Sequence, residues 1–186
     1  MTSVHPVSDD AASVEDPLGP AAAESAESAT FGEAQFRSVL GHFATGVTVV
    51  AALDSGRPVG LSVNSFTSIS LDPPLVAFAV AKSSSTWPRI REAGAFAVNV
   101  LAEHQEQVSR VFATRGADKF RGLRWWPAPS GAPIIDGVLA WVDGVIEAEY
   151  DAGDHVLVVG RVRDLDVTDE GGPLIFYRGG YGRIER

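Results

Sequence analysis

Between residues 32 and 44, Phe36, Val39, Leu40 and Phe43 fall at the i, i+3, i+4, i+7 spacing that gathers them on one face of a helix. That face is expected to lie on the core. The period then changes: residues 47–53 are apolar and rich in β-branched side chains. Asp54-Ser55-Gly56, with Arg57-Pro58 behind it, marks a hairpin turn into residues 59–66. Two antiparallel strands follow from this. Asp72-Pro73-Pro74 breaks the chain before residues 75–81, an apolar run short enough for a buried strand.

Ser83-Ser84-Ser85-Thr86 then supplies N-cap candidates for a short helix, in which Pro88 fits the first turn and which Gly94 ends. In residues 95–101, Phe96, Val98 and Val100 alternate with Ala97 and Asn99, the pattern of a strand, and Val108, Val111 and Phe112 mark a second helical face. A segment with Gly, Pro, Trp125 and Trp126 leads to two long strands expected over residues 137–150 and 155–167. Asp151-Ala152-Gly153-Asp154 turns one into the other. The chain closes with an aromatic run at 174–177, a glycine pair and Tyr181. Six or more strands joined largely by hairpins, with few and short helices, predict a mainly β fold built as an antiparallel barrel. No GxGxxG follows a strand and opens a helix, so a Rossmann dinucleotide site has no support, and there are no internal repeats.

Length and composition sharpen this picture. With 186 residues, 45% of them apolar, the chain suits one domain with a substantial core. Six acidic residues (Asp9, Asp10, Glu15, Asp16, Glu24, Glu27) and no Lys or Arg occupy residues 1–30, which therefore carry most of the net charge of −9. That segment also lacks aromatic residues and apolar periodicity. It is expected to be a disordered acidic tail, with the folded domain over 31–186. The nearly balanced remainder offers no footprint for nucleic acid or for an anionic membrane. No stretch approaches a membrane span and the start lacks the features of a signal peptide, so a soluble cytoplasmic protein is expected. The absence of cysteine removes disulfides, thiolate metal sites and catalytic thiols, so redox chemistry would need a borrowed cofactor.

Four places in the chain suggest chemistry. In residues 62–70 (SVNSFTSIS) small polar residues interrupt a core strand, either capping neighbouring turns or forming a wall of donors and acceptors against a polar heterocycle. Lys82, the hydroxyls at 83–86 and Arg89 cluster at a helix start, a combination that suits a phosphate and that ordinary capping also explains. His155 is the one histidine in a turn flanked by polar residues, with no HxH or HExxH spacing to indicate a metal. Residues 176–181 (FYRGGY) offer rings for stacking, a guanidinium, and glycines that allow close backbone approach. With no GxSxG and no P-loop, hydrolysis and phosphoryl transfer lose support.

The order of the motifs is more telling than any one of them. FRSVLGHFATGVTVV, VNSFTSISLDPPLVAFAV, AFAVNVLAEHQEQVSRVFA, DKF, GAPIIDGVLAWV, GDHVLVVGRV and PLIFYRGGY, spread over residues 33–183, together resemble the short-chain flavin reductases, the reductase components of two-component flavin-dependent monooxygenases. The resemblance implies an FMN-binding split β-barrel, antiparallel and Greek-key-like, in a homodimer with flavin near the subunit interface and NADH (or NADPH) entering over its ring. It implies that Val59, Gly60, Leu61, Ser62, Asn64 and Ser65 pass along the isoalloxazine and ribityl of FMN or FAD, and that Ala79, Val80 and Ala81 meet the flavin edge. Lys82, Ser85 and Thr86 take the place of its phosphate contacts. His155 lies near nicotinamide and flavin, and Phe176, Tyr177, Arg178 and Gly179 help hold the nicotinamide cofactor. At the position of Asn64 the family often carries a small hydroxyl residue instead.

The implied function is hydride transfer from NADH to flavin, with the reduced flavin supplied to an oxygenase partner. NADH is favoured over NADPH because no Arg pair awaits a 2′-phosphate. Two alternatives remain open at this point: a non-catalytic flavin- or haem-binding module on the same barrel, and an activity like that of the pyridoxamine-phosphate oxidases. The latter needs a second basic cluster, and none is visible along the sequence.

Overall fold

The computed structural model describes residues 30–116, 118–168 and 171–184. The expected disordered tail therefore lies, except for Thr30, outside the described residues.

The hairpin read from Ser55-Gly56 forms as expected, with both residues in the left-handed region (φ 49° and 78°), as the twist of a two-residue β-turn demands. It joins β2 (Thr48–Asp54) to β3 (Arg57–Val63), and a short β1 (Thr45–Gly46) precedes them. β4 (Thr67–Leu71) and β5 (Pro74–Ala81) form the next hairpin, followed by α2 (Trp87–Ala93) and β6 (Ala95–Val100). α1 (Glu33–Leu40) opens the fold, α3 (Glu106–Ala113) follows β6, and β7 (Trp125–Pro127) pairs with β8 (Pro133–Ile135). The long hairpin is β9 (Ala140–Ala152) and β10 (His155–Val167), turned at Gly153-Asp154, and the chain ends in β11 (Ile175–Tyr177) and β12 (Gly180–Gly182).

Seven strands make one antiparallel sheet in the order β3-β2-β6-β9-β10-β5-β4. The sheet curls until its two ends meet. Val59 and Val63 of β3 share a buried cluster with Val76, Phe78 and Val80 of β5, and Ser65 Oγ both accepts from the Ala79 N–H (2.9 Å) and donates to its carbonyl (3.2 Å). This is the expected barrel. Trp87 and Ile90 of α2 plug it, with Phe78 edge-on to both Trp87 and Phe96. Gly160 leaves room for the Phe96 ring, because a Cβ there would stand 2.4 Å from the ring's Cζ.

The continuous apolar runs in β2 and β6 reflect burial on both faces. Val50 pairs with Val98 and both point into the barrel, while the neighbouring pair Ala51 and Ala97 points outward into a second cluster. That outer cluster holds Phe112 of α3, Phe120, Ile134, Ile135 and Leu174. Fully buried Asn99 stitches it to the sheet. Its amide donates to the carbonyls of Val49 (3.2 Å) and Pro133 (3.1 Å), and its oxygen accepts from the Ile135 N–H (2.7 Å), so no buried polar atom of the side chain goes unpaired.

Three features differ from the sequence reading. α1 has no buried residue, and Phe36, Val39, Leu40 and Phe43 are 51–75% exposed, so the face expected on the core is open in the single chain. The polar run at 62–70 is the turn from β3 into the exposed edge strand β4 rather than an interrupted core strand. The Trp125-Trp126 segment contributes a two-stranded ribbon that periodicity does not announce. Among the described residues no helix is long and apolar enough to cross a membrane.

Candidate functional site

A cleft of about 280 Å³ opens where β3, β5 and β10 end side by side. Pairing of His155 with Ala81, and a hydrogen bond from the Lys82 N–H to the Asp154 carbonyl (3.0 Å), bring the turn at 153–155 against the end of β5. Leu61, Ser62, Asn64 and Ser65 form one wall. Ala79, Val80 and Ala81 form the other, Ser85 and Thr86 close one end, and His155 lies on the rim. Ten of the residues that the sequence reading assigned to flavin or to catalysis therefore line one space.

The others lie elsewhere. Val59 and Gly60 line a neighbouring cavity, which shares Ser85 and Thr86 with the cleft. Phe176 and Gly179 line a third groove of about 880 Å³, which meets the cleft at Asn64 and Ser65 and carries the exposed Phe36, Leu40 and Phe43 of the α1 region. Tyr177 and Arg178 line none of these spaces. Arg178 sits at the left-handed turn of the β11–β12 hairpin, and Tyr177 meets His42 edge-on. Lys82 departs most from expectation: its ammonium turns out to Asp151 at 2.9 Å, and the side chain is not part of the cleft.

Two cations to which the sequence assigns no role line the cleft. Arg115 lines the cleft and donates to the Ser83 hydroxyl (3.2 Å). Lys119, of the DKF motif, donates to the carbonyls of Gly60 (3.0 Å) and Phe112 (2.8 Å), which leaves one of its three N–H donors uncommitted. Partial burial pushes its pKa below the usual lysine value. Neither cation has a carboxylate partner among the described residues. Both follow α3 in a loop, so the only signal in the sequence was the DKF motif itself, which gives no direction for the side chain.

Local packing fixes these positions. β3 approaches α3 closely at Gly60, where a Cβ would come within 2.7 Å of the Phe112 ring, and this approach lets Lys119 reach the Gly60 carbonyl. Ser62 Oγ and Ser109 Oγ share a hydrogen bond (3.0 Å), Ser109 in turn bonds the Tyr181 hydroxyl (2.9 Å), and the Arg110 guanidinium lies 4.8 Å from the Tyr181 ring centre. The cleft wall, α3 and the C-terminal hairpin are thereby tied together. Ser84 Oγ, not Thr86, accepts from the N–H groups that start α2 (3.3 and 3.2 Å), so the Ser85 and Thr86 hydroxyls are not used as caps. On the rim, His155 Nδ1 meets Asp154 Oδ1 at 2.7 Å, a hydrogen bond that lowers the Asp154 pKa and fixes how the ring is presented.

The arrangement suits a flat, partly polar heterocycle that carries a phosphate. Small residues on both walls leave room for a ring, and the Asn64 amide, the Ser85 and Thr86 hydroxyls and the cations Arg115 and Lys119 line the same space. The neighbouring cavity, of about 640 Å³, is also basic, with Arg57, Arg89 and Arg121 beside Lys119, against one carboxylate, Asp118. No second basic cluster is visible along the sequence because these four cations come from three segments, around 57, 89 and 119–121, that meet only in the fold.

Comparison with known proteins agrees with this geometry. Residues 40–185 match the model of the flavin reductase like domain. The chain is 51% identical over 148 residues to a flavin reductase of Pseudomonas putida, covering 79% of this chain and 87% of that protein. It is 46% identical over 151 residues to the FMN reductase (NADH) SmoA of Agrobacterium fabrum, covering 81% and 86%. The crystal structure of nitrilotriacetate monooxygenase component B from Mycobacterium thermoresistibile superposes with a TM-score of 0.79 at 47% identity, covering 82% of this chain and 86% of that one.

Proposed function

The chain belongs to the flavin reductase like domain family, and from that premise we propose that it moves hydride from NADH to FMN or FAD and supplies the reduced flavin to a partner monooxygenase. The observation that carries the reading is the cleft, lined by amide and hydroxyl groups, by two cations without a carboxylate partner among the described residues and by a histidine. When bound, flavin and nicotinamide supply the redox chemistry themselves, hydride passing from nicotinamide C4 to flavin N5.

The protein's part is to bind and align. Asn64 and Ser65 present polar groups to the ring edge, the small walls Ala79 and Ala81 let the ring lie flat, and Arg115, Lys119, Ser85 and Thr86 hold the phosphate. His155, aimed by Asp154, orients the nicotinamide at the rim. Holding two rings at contact distance supplies most of the acceleration, and donors near the flavin edge favour the charge that develops there. No residue is asked to give up a proton in the hydride step.

The reading also includes a homodimer. Phe36, Val39, Leu40 and Phe43 make a contiguous exposed apolar face, larger than scattered surface hydrophobics require, and it borders the groove that opens onto the cleft at Asn64 and Ser65. A second copy seated there buries the face and roofs the ring end of the site. A cytoplasmic location, where NADH is available, accords with this role. Steady-state NADH oxidation by the purified protein, with FMN, FAD or no flavin added, tests the proposal: turnover is expected only with flavin, and turnover indifferent to flavin would overturn it.

A further inference from the structure

We propose that Ser109 and Tyr181, neither of which lines the cleft, are positioning residues that hold the Ser62 hydroxyl as a hydrogen-bond donor toward bound flavin and so favour its reduced form. The inference rests on the flavin reading of the cleft and deepens it. Ser109 is the starting point. It lies on α3 at 1% exposure, where a hydroxyl without a partner would be destabilising. A helical serine or threonine can satisfy itself on the carbonyl four residues back, as Thr114 at the end of this helix does on Arg110 (2.9 Å). Ser109 instead reaches sideways, to Ser62 Oγ on β3 (3.0 Å) and to the Tyr181 hydroxyl on β12 (2.9 Å).

Three hydroxyls carry three protons, and the two links use two of them. The third is left on Ser62 if donation runs from Tyr181 inward, and on Tyr181 if it runs outward. Donation from both ends would strand the Ser109 proton in a buried place. Chemistry selects the inward direction. A phenol is a stronger donor and a weaker acceptor than an aliphatic hydroxyl, and the negative charge that donation leaves on the phenol faces the Arg110 guanidinium, 4.8 Å from the ring centre and held by Glu106 at 2.7 Å. Ser62 then keeps its proton for the cleft, which it lines. It stands two residues from Gly60, whose carbonyl takes Lys119, and two from Asn64 at the ring end, so it serves the stretch where the ribityl chain of a flavin joins the ring beside the N1–C2=O edge. Two-electron reduction gathers negative charge at that edge, and a donor already fixed there binds the reduced form more strongly.

Redox titration of bound and free FMN, together with fluorescence titration of oxidised FMN, tests this on wild type, Tyr181→Phe, Ser62→Ala and the double variant. These readings give the ratio of reduced to oxidised FMN affinity without any turnover. Ser62→Ala is expected to lower the ratio about tenfold, a midpoint about 30 mV more negative for a two-electron couple. Tyr181→Phe deletes only the oxygen and keeps the ring against Phe176 and Arg110. It is expected to lower the ratio about threefold while oxidised FMN affinity stays within about twofold. The double variant should match Ser62→Ala alone, because Tyr181 acts only through Ser62. A purely structural Tyr181 predicts otherwise: a Tyr181→Phe effect on the ratio that persists beside Ser62→Ala, or a lower melting temperature with the ratio unchanged. Either result would overturn the proposal, as would an unchanged ratio in Ser62→Ala, and all three leave the reductase reading standing. Failure of wild type to bind FMN would remove the proposal together with the reading beneath it.

Discussion

Helices α1 and α3 are both eight residues long and both amphipathic, yet their apolar faces end in opposite environments. Phe112 of α3 is 1% exposed and its ring fills the space over Gly60, whereas Phe36 of α1 is 51% exposed. The same periodicity marks an apolar face on each, and only the α1 face was expected on the core. The pattern states only that a face is apolar, and what covers it is set by chain connectivity. α3 is bound on two sides, by Ser109 to Ser62 and by its end to Lys119, and so must dock on β3. α1 contacts the body of the chain mainly through the loop after it, where the Arg178 N–H donates to the Gly41 carbonyl (2.8 Å), and its apolar face is left open in the single chain.

Truncating the buried face should cost most. Phe112→Ala removes a filled ring position from the outer cluster and is expected to lower unfolding free energy by about 3–5 kcal/mol, read from the denaturant midpoint. A loss under about 1 kcal/mol would show that α3 is no better anchored than α1. Charging the open face should act on assembly. Phe36→Asp with Leu40→Asp is expected to shift sedimentation from dimer to monomer and to weaken flavin reduction, with the barrel still folded by circular dichroism. Unchanged dimer mass would mean that another surface covers this face.

Lys119, which holds the end of α3, makes the anchored side of this comparison sensitive to pH. Burial lowers its pKa, so the native state binds the proton less readily than the unfolded chain, and fold stability rises with pH between the lowered native value and the ordinary lysine value. Phosphate binding runs the other way. FMN affinity should fall as pH rises through the lowered pKa while riboflavin affinity holds, and Lys119→Met should abolish that difference. Parallel pH profiles for the two flavins would place the phosphate away from Lys119. The smallest effect is expected from deleting residues 1–30. Their composition offers too little apolar surface to join the core, so the melting temperature should move by no more than about a degree.

The barrel was legible because turn chemistry and strand period agreed along the chain. Ser55-Gly56, Gly94 and Gly153-Asp154 each fall at the turn or cap expected, and β2 and β6 are continuous apolar runs, as their two-sided burial requires. The cleft walls were legible through motif order, because strand ends that are far apart in sequence meet by register: His155 pairs with Ala81 seventy-four positions away. Loop side chains were not legible. Lys82 looked like the phosphate cation because it precedes a run of hydroxyls, but a β-turn points it toward Asp151, while Arg115 and Lys119 arrive from a loop with no periodicity. The β7–β8 ribbon escaped notice because three-residue strands are too short for alternation to register.

The most direct test of the central claim is anaerobic stopped-flow mixing of NADH with the flavin-loaded protein, run for wild type and His155→Ala. The cleft as described predicts rapid single-turnover bleaching of flavin by wild type. For His155→Ala it predicts slower bleaching with flavin affinity preserved, the loss staying below the roughly hundredfold typical of a donor aimed at developing charge. Wild-type protein that binds flavin in the cleft yet leaves it oxidised in the presence of NADH would contradict the account and reduce the fold to a flavin carrier.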